Sequence, residues 1–141
     1  MPSSRVRRAT LLALTPEAKA ALGGGTVELK TFPFRVGRES RGRPRPATRT
    51  VADRRKSESR PTNDLYLPET AEPFDVSREQ FQITHNGTHY VLVERQSTGG
   101  TLVEGTVVGG RHGRGAVQLN DGDIIIVGTS RSPYVFKFRL R

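Results

Sequence analysis

Along most of the chain the apolar positions recur at every second residue, in short runs separated by turn residues. Thr26–Leu29, Phe32–Val36, Asp64–Leu67, Phe81–His85 and Thr88–Glu94 read this way. So do Thr101–Val103, Thr106–Val108, Val117–Leu119, Asp123–Val127 and Tyr134–Leu140. A period of two puts successive side chains on opposite faces, which is the signature of a half-buried strand. Asn86-Gly87, between two of these runs, predicts a hairpin closed by a type I′ turn. Glu104-Gly105 and Asn120-Asp121-Gly122 punctuate the later runs in the same manner. Many short strands at close spacing predict an all-β chain folded as an antiparallel β-sandwich.

Two stretches break the pattern. Thr15-Pro16-Glu17 offers a hydroxyl cap, a proline at the first helical position and an acid in the first turn. A short helix is therefore expected through Leu22, stopped by Gly23-Gly24-Gly25. Residues 1–25 are read as an N-terminal arm carrying that helix, with Met1–Arg8 frayed, and residues 26–141 as the sandwich. The second stretch, Arg41 to Thr62, has no apolar periodicity and is rich in Arg, Pro, Ser and Thr. It buries too little to offset the entropy of ordering, so residues 41–62 are expected to be a mobile insertion after the second strand.

Charge changes the picture next. The 141 residues carry 23 Lys+Arg against 14 Asp+Glu, a net +9. Between Arg35 and Arg60 alone stand ten basic residues against three acids. That balance implies an acidic partner: nucleic acid, anionic lipid or phosphorylated protein. No Tyr, Phe or Trp lies between Arg35 and Arg60, so base stacking has nothing to work with there. With no cysteine, disulfides and thiolate metal sites are excluded. His85, His89 and His112 lack metal-ligand spacing, so neither metal nor cofactor is expected. The apolar run Ala9–Leu14 is too short for a signal-peptide core or a membrane span, and a cytoplasmic monomer is expected. No histidine falls in a nucleophile motif, and Gly99-Gly100 lacks the lysine and helix of a nucleotide loop. An enzyme is not expected.

In a sandwich the strands give rigidity and the loops at one end carry chemistry. Three loop clusters stand out: Gly37-Arg38, Ser77-Arg78 and Ser97-Thr98-Gly99-Gly100-Thr101. Together they offer guanidinium groups, hydroxyls and glycine-freed backbone N–H groups, the equipment for gripping a tetrahedral dianion. Arginine suits this because its planar fork bridges two phosphate oxygens.

The order Gly37-Arg38, Asn63–Leu67, Val76–Phe81, Ser97–Gly105 and Leu119–Ile125 resembles the forkhead-associated (FHA) domain family, over about Thr26 to Leu140. The resemblance implies a signalling adaptor that binds phosphothreonine-containing proteins, with a Ser/Thr kinase or its substrate as partner. It further implies that Arg38 and Ser77 contact the phosphate, that Arg78 adds a basic neighbour, and that Thr98 binds beside the phosphothreonine. Gly37 and Gly100 shape their loops. The sequence departs from the family at Gln80, where a histidine usually braces the loops. It departs again at Gly99, where an asparagine usually grips the ligand main chain, and at Glu104, where a second asparagine is common. Two other readings remain beside this one. One is a degenerate FHA fold that binds a partner without phosphate. The other is a polyanion or nucleic-acid binder acting through the Arg-rich insertion.

Overall fold

The computed structural model describes residues 8–39, 63–69, 74–111 and 113–141, and these form eleven strands and one helix. The insertion expected over 41–62 lies outside the described residues. The strands are β1 (Ala9–Ala13), β2 (Thr26–Leu29), β3 (Phe34–Arg38), β4 (Leu65–Leu67), β5 (Phe81–His85) and β6 (Tyr90–Glu94). They continue as β7 (Thr101–Val103), β8 (Thr106–Val108), β9 (Ala116–Leu119), β10 (Ile124–Ile126) and β11 (Val135–Leu140). The helix α1 is Pro16–Leu22.

Two sheets form. One has six strands in the order β2-β1-β11-β10-β7-β8, the other five in the order β4-β3-β5-β6-β9. All pairings between strands are antiparallel except β3 with β4. Each sheet turns one face inward. Val36, Phe81, Ile83 and Leu92 from the five-stranded sheet meet Leu11, Ile125, Phe136 and Phe138 from the six-stranded one, all at 1% exposure or less. Each such side chain contributes about 1.5–3 kcal/mol by leaving water, and together they make the loop ends rigid mounts. The antiparallel sandwich predicted from the alternation is the fold observed.

Residues 9–13 depart from the reading. They form β1, hydrogen-bonded between β2 and β11, with Ala9, Leu11 and Ala13 in the core. The segment read as an arm thus supplies an interior strand. Its alternation was masked because Leu12, on the outward face, is as apolar as its inward neighbours. The helix is as expected. The Thr15 hydroxyl accepts from the Ala18 N–H at 3.2 Å, and Gly23 closes the other end at φ 75° with its N–H on Lys19 and Ala20 carbonyls. Thr15→Ala is expected to lower stability by about 1 kcal/mol, read as a drop in the chemical-denaturation midpoint at unchanged m-value.

The β5–β6 hairpin forms, but not on the type I′ turn that Asn86-Gly87 predicts. Gly87 has φ 100°, while Asn86 is not in the left-handed region that such a turn needs at both central residues. The Asn86 side chain instead accepts from the backbone N–H groups of Thr88 and His89, at 3.1 and 2.8 Å. No helix among the described residues is long and apolar enough to cross a membrane.

Candidate functional site

Gly37 and Arg38, expected in a loop, are the last two residues of β3, held in parallel register with Tyr66 and Leu67 of β4. Their place puts the end of β3 directly against the β4–β5 loop. A Cβ on Gly37 would lie 1.9 Å from the Arg78 carbonyl oxygen and 2.7 Å from the Asn63 Nδ2. Glycine is required there by close approach, since its φ is ordinary. The contact that this proximity permits is a backbone bridge. The Arg38 N–H donates to the Ser77 carbonyl at 2.9 Å, and Asn63 Nδ2 donates to the Arg78 carbonyl at 2.9 Å.

The Arg38 side chain runs back along that loop. Its Nη1 donates to the Val76 carbonyl at 3.1 Å, and its Cζ sits 4.0 Å from the centre of the Phe74 ring. A guanidinium stacked on an aromatic face and hydrogen-bonded at one edge keeps a fixed plane. Val76 is itself positioned, because Glu69 accepts from the N–H groups of Asp75 and Val76 at 3.0 and 2.9 Å. Ser77 Oγ accepts from the Thr98 N–H at 2.9 Å. That bond uses a lone pair of the hydroxyl, which carries a donor hydrogen as well.

Gln80 ties the loops together. It is fully buried; its Oε1 accepts from the Ser77 N–H at 2.7 Å. Its Nε2 donates to the Gly100 carbonyl at 2.6 Å and to the Thr101 hydroxyl at 3.0 Å. One amide thus links the β4–β5 loop to the β6–β7 loop, with every hydrogen bond inside the protein. Gly100, at φ 79° with the Val108 carbonyl 3.1 Å from where a Cβ would stand, lets the second loop turn beneath it.

Arg38, Ser77, Arg78 and Thr98 line one open pocket of about 430 Å3, together with Glu79 and Gln96. The sequence reading named the first four, together with Gly99, and missed the last two. Arg78 and Thr98 are exposed, while Arg38 and Ser77 are half-buried at the base. Gly99 does not line the pocket. It is exposed beside it, and a Cβ there would meet Thr129 Cγ2 at 3.6 Å, an ordinary contact. Glu104, by contrast, occupies the β7–β8 turn at φ 48° and accepts from the Ile124 N–H at 2.7 Å. It serves that turn.

Several residues behind the pocket were not read from the sequence as supporting it. Asn63, 1% exposed, accepts from Arg95 Nη1 at 2.5 Å while it holds Arg78. Asp64 accepts from the Arg35 backbone N–H at 2.9 Å and its Nε at 3.1 Å, fixing the start of β4 against β3. Burial draws the Arg95 guanidinium below its ordinary pKa, and the Glu79 carboxylate, 3.9 Å from Arg95 Nη2, opposes that shift. Two guanidinium groups, a hydroxyl and a backbone-fixed loop around an open pocket make an arrangement that can hold an anion.

The FHA domain model matches residues 34–128, and the chain belongs to that family. No curated protein matches it in sequence. Among solved structures it is similar to Mycobacterium tuberculosis EmbR in complex with a low-affinity phosphopeptide, at 24% identity and TM-score 0.58. That likeness covers 99% of this chain and 26% of EmbR, so the chain spans about a quarter of that protein. It is similar to the FhaA FHA domain complexed with another protein's intracellular domain, at 23% identity and TM-score 0.57, covering 93% and 99% of the two chains. The kinase-interacting FHA domain of a kinase-associated protein phosphatase in Arabidopsis gives 21% identity, TM-score 0.59 and coverage of 96% and 94%. At these identities the likenesses establish the fold.

Proposed function

We propose that the chain is a phosphothreonine-dependent protein-binding module, and that Arg38, Ser77, Arg78 and Thr98 hold the phosphate. The observation that carries this reading is the convergence of these four residues on one pocket from three separate stretches of chain. A phosphate monoester brings about −1.5 to −2 charge and three strong acceptor oxygens near neutral pH. Arg38 and Arg78 balance that charge, and the Ser77 hydroxyl and Arg38 fork fix its orientation. The partner is a phosphorylated protein, a Ser/Thr kinase or its substrate. The module works by docking, without turnover. Its binding unit runs from β1 to β11, since β1 lies inside the six-stranded sheet.

The test is a titration of peptides that differ only in phosphothreonine, phosphoserine or plain threonine. The phosphothreonine form is expected to bind at least about tenfold tighter than either control, a difference of about 1.4 kcal/mol. Equal affinity for all three would retire the reading.

Gly99 yields a second expectation. Restoring an amide in Gly99→Asn meets ordinary contacts at Thr129 and Asp75. The side chain then reaches a bound peptide's main chain, adding one hydrogen bond worth about 0.5–1.5 kcal/mol, or roughly two- to tenfold in affinity. Isothermal titration with one phosphothreonine peptide measures it. Unchanged affinity and unchanged sequence preference would show that this rim does not touch the ligand.

A further inference from the structure

The outer face of the six-stranded sheet has no covering element among the described residues that accounts for its composition. The register places Val135 opposite Ile126, Ile126 opposite Leu102, and Leu102 opposite Val107. Leu14, whose N–H donates to the Val135 carbonyl, extends the same row at the other end. The burial alternation of each strand puts these side chains outward: Phe136, Ile125, Thr101 and Val103 point into the core, and their neighbours in the row do not. Five apolar residues therefore cross the sheet side by side, with Leu14 and Val107 each 44% exposed. Leu12 and Ile124 stand in the next row, on either side of Lys137. Singly exposed apolar residues need no explanation, but a contiguous band across five consecutive positions is a candidate contact surface.

Beyond the band the face turns basic. Arg139 lies one row further along, opposite Thr10, and Arg8 and Arg141 pair through their backbones beside it. These arginines line a groove of about 330 Å3 with Thr10, Leu12, Thr26 and Glu28. Four cations, Arg8, Lys137, Arg139 and Arg141, thus face two acids, Glu28 and an Asp121 that lies 3.7 Å from Arg139. The groove is continuous with the apolar band through Leu12.

We propose that this face is a second docking surface, one that takes an unphosphorylated protein segment with apolar side chains along one edge and carboxylates along the other. Charge complementarity selects that occupant. The apolar edge covers the row from Leu14 to Val107, and the carboxylates enter the arginine groove. A second copy of the chain would bring another basic groove and a further +9 of like charge, which opposes self-association. A bilayer surface is disfavoured because the band holds no Trp, Tyr or Phe to seat at the headgroups. The surface lies on the outward face of the six-stranded sheet and shares no residue with the Arg38 pocket, so one partner could engage both and gain by avidity. The proposal does not rest on phosphate binding at that pocket.

The test uses a phage-displayed library of random unphosphorylated peptides, selected against the full chain. Enriched sequences are expected to combine aliphatic residues with Asp or Glu, and one such peptide, titrated into isotope-labelled protein, to shift the amides of β1, β10, β11 and β7. Two variants read the two halves of the surface. Arg139→Glu with Arg141→Glu, and separately Ile126→Ser, are each expected to weaken that peptide about tenfold or more, with dispersed amide spectra showing that the fold persists. Several outcomes would overturn the proposal: no enrichment, enriched peptides without acids, shifts confined to the Arg38 pocket, or affinity indifferent to both variants. Sedimentation as a dimer through this face would assign it to a second copy instead, and co-sedimentation with phosphatidylserine vesicles lost in the same variants would assign it to lipid.

Discussion

Gly37→Ala is expected to be among the most costly glycine substitutions in this protein. The new Cβ would stand 1.9 Å from the Arg78 carbonyl oxygen, and 2.7 Å from both the Arg78 carbonyl carbon and Asn63 Nδ2. Those atoms are backbone and a buried amide, so no flexible side-chain end can swing aside. Either β3 or the β4–β5 loop must retreat, and the bond from Asn63 Nδ2 to the Arg78 carbonyl breaks with it. Overpacking of this kind costs typically 1–3 kcal/mol, and a stranded buried amide adds about 1–3 more. A fall in Tm on the order of 10 °C is the expected result, at about 2–8 °C per kcal/mol for domains of this size. Phosphopeptide binding should fall further than stability does, since the displaced loop carries Ser77 and Arg78. Gly99→Ala is the matched control: its Cβ meets only Thr129 and Asp75 at ordinary distances, and a change within about 0.5 kcal/mol is expected. Melting curves of the two variants side by side decide it. Indistinguishable Tm values would mean that β3 and the loop do not approach as closely as described.

The contrast between these two glycines also shows what the sequence could reveal. Alternation and turn residues were enough for the sandwich, because a strand's inward face is a local pattern of period two. They failed at β1, where an outward Leu12 blurred the period, and at the β5–β6 turn, where Gly87 alone took the left-handed conformation. The pocket was legible through Arg38, Ser77, Arg78 and Thr98, whose chemistry is visible in their side chains. What supports them was not. Phe74 under the Arg38 guanidinium, Glu69 on the N–H groups of Asp75 and Val76, and Asn63 between Arg95 and Arg78 act across gaps that only the fold closes. Gln80 lies between these cases. The resemblance marked it as a substitution in a bracing position, and the structure gives the reason it can serve there. An amide supplies both an acceptor for the Ser77 N–H and donors for Gly100 and Thr101, without carrying a charge into a fully buried place.

Arg38→Ala is expected to remove most phosphopeptide affinity while leaving a folded protein. The side chain's bonds to a phosphate would be charge-assisted and delivered from a half-buried base, where truncating one partner of an ionic pair costs about 2–4 kcal/mol. That is a rise in Kd of about 30- to 700-fold. Because Arg38 is part of β3, its loss also touches the scaffold. The contacts to the Val76 carbonyl and the Phe74 ring go, at about 1 kcal/mol, while the backbone bond from Arg38 N–H to Ser77 remains. The variant should therefore melt a few degrees lower and still show the parent's amide dispersion. Arg38→Lys separates charge from geometry. Lysine keeps the positive charge but loses the planar fork and its stack on Phe74, so an intermediate affinity is expected, with pThr-over-pSer discrimination reduced. Anisotropy titrations of parent, Arg38→Lys and Arg38→Ala with one phosphothreonine peptide give the ordering. If all three bind equally, the phosphate is held elsewhere and the pocket between β3 and the β4–β5 loop is not the site. If Arg38→Lys binds as the parent does, the contact is a point charge and the bidentate geometry assigned to it is wrong.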